Sequence, residues 1–169
     1  MRCLNMNEKN AKIRIIPLII NIGLPLLSGA IIALILPNIK EVYEQLQKPV
    51  FAPPAYVFPV MWTILYILMG IAAYKIYILK YENIDTSPAM FVYYIQLLLN
   101  FLWSIIFFGL RLYGLAFLEL LVLIFFVILT IKRFYSKGGK YPALLMMPYL
   151  IWLIYAGVLN FFVWMLNEM

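Results

Sequence analysis

Few side chains in this 169-residue chain are able to do chemistry, and most of them fall in three helical stripes. Gln96, Asn100, Trp103, Ser104 and Phe107 recur every three or four residues, which places them on one face of a helix. Trp62, Tyr66 and Met69 form a second such stripe, and Tyr149, Trp152, Ala156 and Asn160 a third. Taken singly, each stripe is explained by amides and small residues gluing membrane helices together, at roughly 0.6 kcal/mol per hydrogen bond. Taken together, with Ala156 and Gly157 leaving room, they suit a pocket for a flat hydrophobic ligand, where rings supply contact area and amides fix orientation. Glu119 is the only ionisable residue well inside a long apolar run, where a carboxylate costs a few kcal/mol unless it is neutral or partnered. It suits proton handling or contact with a ligand; a protonated acid bonded to a neighbouring helix would serve structure alone.

Other chemistries are excluded by composition. With no histidine and a single cysteine, Cys3, the chain has no disulfide, no zinc set, no Cys-His nucleophile and no histidine ligand for haem. No metal site, catalytic residue or bound cofactor is therefore expected. The net charge of +6 does not point to nucleic acid, because the basic residues lie between apolar runs rather than in one patch, which suits anionic headgroups of a lipid bilayer.

The elements that position these residues follow from hydropathy. Apolar and aromatic residues make up 66% of the chain and charged residues 12%, against roughly 45–50% and 25% in soluble domains. A chain of this length cannot hide so much apolar surface in a water-soluble core. Five runs, 15–37, 56–78, 88–110, 112–133 and 141–166, each have about the 20 residues that cross a bilayer as a helix. None alternates as a barrel strand would. The expected fold is all-α, an integral membrane bundle of five transmembrane helices forming one domain over 1–169. The first run is longer than the ~7–15 apolar residues of a cleaved signal.

Arg2, Lys9, Lys12, Arg14, Lys75, Lys80, Lys132, Arg133, Lys137 and Lys140 fall on one side of these spans, against Lys40, Lys48 and Arg111 on the other. The N-terminus is thus expected in the cytoplasm and the C-terminus outside. The short connection at 109–113 makes the third and fourth spans antiparallel neighbours, and the basic residues from Lys132 to Lys140 read as a fourth loop. The long first loop, 38–55, reads as a pocket lid carrying a short amphipathic helix with Val42 and Leu46 one turn apart, stopped before Pro49. Pro17, Pro25, Pro59 and Pro148 fall in or at the start of spans, where freed carbonyls can line cavities.

Lys48-Pro49-Val50-Phe51-Ala52-Pro53-Pro54 followed by Phe58-Pro59-Val60-Met61-Trp62-Thr63-Ile64-Leu65-Tyr66 resembles the signature of the translocator protein family, the tryptophan-rich sensory proteins or peripheral-type benzodiazepine receptors. Leu99-Asn100-Phe101-Leu102-Trp103-Ser104, Phe107-Phe108-Gly109, Glu119 and Pro148-Tyr149-Leu150-Ile151-Trp152, with Tyr155-Ala156 and Leu159-Asn160, extend the likeness in order from about Tyr43 to Leu166. The resemblance implies a bacterial membrane protein, often a homodimer, that binds porphyrins and other flat aromatic molecules in a pocket beneath the first loop. Tyr43 and Pro53 would close the lid, with Trp62, Tyr66, Asn100, Trp103, Trp152 and Ala156 lining the pocket and Ser104, Phe107 and Glu119 as further candidates. The ligand it implies is protoporphyrin IX or a related tetrapyrrole, bound by a sensor or carrier. The alternatives are light- and oxygen-dependent porphyrin breakdown, with Trp62 and Trp152 as electron donors, and transport of another hydrophobic solute. Phe51 stands where the family usually has tryptophan, and only four tryptophans are present, which weighs against photochemistry. No Lys or Arg follows a fifth-helix tyrosine, so sterol binding is not expected. A metal-free porphyrin should fit better than haem, its propionates reaching Lys48 or Arg111.

Overall fold

In hydrocarbon a backbone has only itself to hydrogen-bond with, so each long apolar run must close into a helix. The computed structural model describes residues 14–169, and Arg2, Cys3, Lys9 and Lys12 lie outside the described residues. Among the described residues, five helices are long and apolar enough to cross a membrane: α1 (Ile15–Ile35), α3 (Val57–Tyr77), α4 (Ser87–Ser104), α5 (Tyr113–Gly138) and α6 (Lys140–Asn167). The short α2 (Ile39–Gln45) lies in the first loop, with Val42, Tyr43 and Leu46 buried. The protein is therefore an all-α integral membrane protein, and no strand occurs among the described residues.

Two ends differ from the sequence expectation. The basic stretch from Lys132 to Lys140 is not a loop: α5 runs on to Gly138 and α6 starts at Lys140, so Gly139 alone makes the turn. Its φ of 75° is open to glycine without strain, and long basic side chains can reach headgroups from a helix end as well as from a loop. At the other end, α4 loosens into a π-helical turn over Ile105–Gly109, and Arg111 adopts a φ of 58° before α5 begins. The first backbone N–H groups of α5 are capped from a distance: the Glu168 carboxylate accepts from Tyr113 N (2.7 Å) and Gly114 N (2.9 Å).

The closest helix pairs are α5 with α6, α1 with α3, α4 with α5 and α3 with α6. The core lies among α3 to α6, where Met69, Tyr93, Leu120, Met146 and Tyr149 are fully buried. By contrast α1 buries only Asn21, Pro25 and Ile32 and barely touches α4. It joins the bundle through Gly70 of α3, where an added Cβ would lie 2.5 Å from Ile22 Cα and 2.7 Å from Asn21 O. Lying against α3 but away from α4, α1 leaves a space between them.

The first loop roofs that space and is tied down at several points. Tyr43 donates its hydroxyl to Pro53 O (2.7 Å) and Tyr155 donates to Phe51 O (3.0 Å). Burial, helped by nearby Tyr155, pushes the Tyr43 hydroxyl up to about 12, so it stays protonated and donating across the neutral range. Asn167 clasps the roof from the end of α6, accepting from Gln47 N (3.0 Å) and donating to Gln47 O (2.9 Å). Removing this clasp with Asn167→Ala is expected to speed amide exchange at Gln47 about five-fold, the equivalent of ~1 kcal/mol of net hydrogen bonding. Exchange in the core of α3 should not change; unchanged protection at Gln47 would mean that the roof is held elsewhere.

Candidate functional site

Beneath the roof, α1, α3, α4 and α2 border a partly open cavity of about 740 Å³. This is within the roughly 300–1,000 Å³ of small-molecule sites. Its walls are overwhelmingly apolar. α1 contributes Leu26, Gly29, Ile32, Ala33 and Leu36, whose spacing is that of one helical face. α3 contributes Phe58, Trp62 and Tyr66, α4 contributes Trp103 and Ser104, and the π-helical turn that follows it contributes Phe108. Tyr43 and Lys40 come from α2.

Hydrogen bonds behind the walls hold the rings in place. The Trp62 ring lies 5.3 Å from Tyr66 and 6.1 Å from Tyr149, centre to centre. The Tyr66 hydroxyl donates to Asn100 Oδ1 (3.0 Å), and Asn100 Nδ2 donates to the Tyr149 hydroxyl (3.1 Å), so one amide links α3, α4 and α6. The Trp103 indole N–H donates to Asn160 Oδ1 (3.1 Å), whose Nδ2 in turn donates to Tyr113 O (2.9 Å). Trp103 also stacks on Phe107 at 5.0 Å. The Ser104 hydroxyl donates back to Asn100 O (3.5 Å). With Trp62, Tyr66 and Trp103 fixed from behind, a guest would meet preorganised surfaces.

The sequence-derived candidates divide into four groups. Tyr43, Trp62, Tyr66, Trp103 and Ser104 line the cavity. Asn100 and Pro53 lie one layer out, bonded to the lining tyrosines. Phe107 and Ala156 border a separate hollow of about 20 Å³, which shares Tyr43, Phe58, Trp103 and Phe108 with the main cavity and is no larger than a water site. Trp152 does not line the cavity: it packs edge-on against Phe58, which does, at 5.9 Å. Glu119 is also off the lining, with both carboxylate oxygens buried and without a hydrogen-bond partner among the described residues.

Three contributions are absent from the sequence-derived set. The wall from α1 is one; its Gly29 and Ala33 pair is a small-residue signature of close helix approach, and here Gly29 faces the Tyr66 ring across the cavity wall, where a Cβ would come within 2.7 Å. Phe58 is the second, one turn before Trp62 and therefore on the same face. Lys40 is the third. Lys48, expected to reach a ligand acid, instead donates to Tyr43 O (2.6 Å) and Glu44 O (3.0 Å) at the end of α2, and Arg111 is not in the lining. Among the described residues, no carboxylate lies in the cavity wall.

Comparison with known proteins bears on this arrangement. The sequence profile of the TspO/MBR family matches residues 21–165. The chain is 38% identical over 132 residues to the Tryptophan-rich protein TspO of Archaeoglobus fulgidus, covering 77% of this chain and 82% of that protein. It is 40% identical over 125 residues to Protein CrtK of Rhodobacter capsulatus, covering 74% and 78% respectively. It is 37% identical over 145 residues to the Tryptophan-rich sensory protein of Cereibacter sphaeroides, covering 86% and 85%.

Proposed function

The chain belongs to the TspO/MBR family, and from that premise we propose that it is a membrane sensor or carrier that binds a planar tetrapyrrole, protoporphyrin IX or a close relative, in the cavity between α1, α3 and α4. The observation that carries the reading is the cavity itself: large enough for a small-molecule ligand, walled by Trp62, Tyr66, Trp103 and Phe58, and roofed by α2. Flat rings stack on such walls without needing specific polar partners. The lack of histidine in the sequence favours a metal-free porphyrin over haem, since the walls offer iron no imidazole. The name Tryptophan-rich sensory protein, carried by one relative, is in keeping with a role that ends in binding. In this reading the roof faces outside the cell and the opposite end the cytoplasm, which the collection of Lys75, Lys80, Lys132, Arg133, Lys137 and Lys140 at the end away from α2 supports.

Titration of the protein in lipid nanodiscs with protoporphyrin IX should quench tryptophan fluorescence saturably. Trp62→Ala should weaken binding about ten-fold, the equivalent of 1.4 kcal/mol of lost ring contact. Trp152→Ala should weaken it less, because Phe58 stands in the wall and Trp152 only supports it. Quenching that never saturates, or an affinity indifferent to Trp62→Ala, would refute the proposal.

A further inference from the structure

Several hydroxyl and indole groups of the cavity wall are committed elsewhere, whereas its one charged group among the described residues is held only weakly. The hydroxyl of Tyr66 is given to Asn100, that of Tyr43 to Pro53 O and that of Thr63 to Pro59 O, while the Trp103 indole N–H is given to Asn160. Lys48, the other cation of the roof, is turned back onto the carbonyls of α2. Among the described residues, Lys40 is the only charged side chain in the wall. Its sole ionic partner among the described residues is Glu44, one turn along α2 at 3.8 Å, and both side chains are largely in water. An exposed pair of this kind holds the ammonium weakly, so a ligand anion can compete for it.

We propose that Lys40 selects the charge of the ligand: the cavity takes flat apolar molecules that carry their carboxylates on a single edge, and that edge faces the roof, where Lys40 receives it. This rests on the tetrapyrrole reading above and refines it. An acid carried deeper would be desolvated among apolar walls that hold no other charge to meet it, so two acids at opposite ends of a molecule are not tolerated, whereas two on the same edge are. The same asymmetry fixes the direction of binding, with the uncharged edge toward Trp62 and Tyr66.

The test compares protoporphyrin IX with its dimethyl ester, which has the same ring system and no charge, on the unaltered protein and on Lys40→Gln, Lys40→Glu and Lys48→Gln in nanodiscs. Each ligand is compared only with itself across variants, so differences in lipid partitioning cancel. Lys40→Gln is expected to weaken the acid about five-fold, the upper range for an exposed ion pair, and Lys40→Glu more than that. Affinity for the ester should stay unchanged, which also shows that the cavity is intact. Lys48→Gln should leave the acid-to-ester ratio where it was. An acid affinity indifferent to Lys40→Glu overturns the inference, as does equal weakening of acid and ester, which would make Lys40 a part of the roof and nothing more. If neither compound quenches the unaltered protein saturably, it is the tetrapyrrole reading that falls, before any lysine is changed.

Discussion

Gly70→Ala is expected to destabilise the protein by about 3 kcal/mol and to abolish the ligand cavity with it. Alanine favours a helix over glycine by ~1 kcal/mol, so the intrinsic term points the other way and must be overcome. What overcomes it is contact with backbone: the new Cβ would sit 2.5 Å from Ile22 Cα and 2.7 Å from Asn21 O, atoms that cannot rotate aside as a side chain would. α1 as a whole would have to move off α3. Because α1 buries only Asn21, Pro25 and Ile32, little resists that shift, and the wall built from Leu26, Gly29, Ala33 and Leu36 moves with it. Gly23→Ala supplies the control on the same helix, since a Cβ there meets nothing within 4 Å and should be neutral or slightly stabilising. Thermal unfolding of both variants in detergent, followed by protoporphyrin titration, decides the matter. Equal melting temperatures for the two would show that α1 is not anchored at Gly70.

This glycine illustrates which features the sequence makes legible. Five spans are legible because a bilayer demands about 20 apolar residues, and the hydropathy pattern alone marks them. The roof helix is legible as well: the expected turn carrying Val42 and Leu46 appears as Ile39–Gln45, with both residues buried. The stripes on α3 and α4 bring Trp62, Tyr66 and Trp103 to one cavity because side chains three or four residues apart share a face whatever the neighbours are. Periodicity says which face of a helix is special but not which helix it meets. The α6 stripe is buried as α3 and α4 are, yet Trp152 supports Phe58 from behind while α1 provides the facing wall. Nor does a lysine's position in a loop say where its ammonium ends. Lys48 and Lys40 are eight residues apart on one roof; carbonyls at the end of α2 claim the first, and the second is left at the cavity. Glu168 is illegible for a related reason, since a carboxylate that caps a helix 54 and 55 residues away leaves no local signature.

The second large effect belongs to Asn100, buried at 2% exposure and bonded to two tyrosines of two other helices. Asn100→Leu is expected to cost about 2 kcal/mol. Counting only the two hydrogen bonds, at the ~0.6 kcal/mol typical inside membranes, would give less. Counting two hydroxyls fully unsatisfied, at ~1–3 kcal/mol each, would give more. The intermediate value follows from the positions of the two tyrosines: Tyr149 is fully buried and has nowhere to turn, whereas Tyr66 borders the cavity and can find water or ligand there. The same reasoning fixes the sign of the coupling. With Tyr149→Phe already in place, Asn100→Leu should cost distinctly less, because the hydroxyl that pays most for the loss is gone; with Tyr66→Phe in place, the relief should be smaller. Unfolding free energies of the single and paired variants test this ordering. Equal relief from the two phenylalanines would show that the cavity does nothing to satisfy Tyr66, and that its hydroxyl is as confined as that of Tyr149.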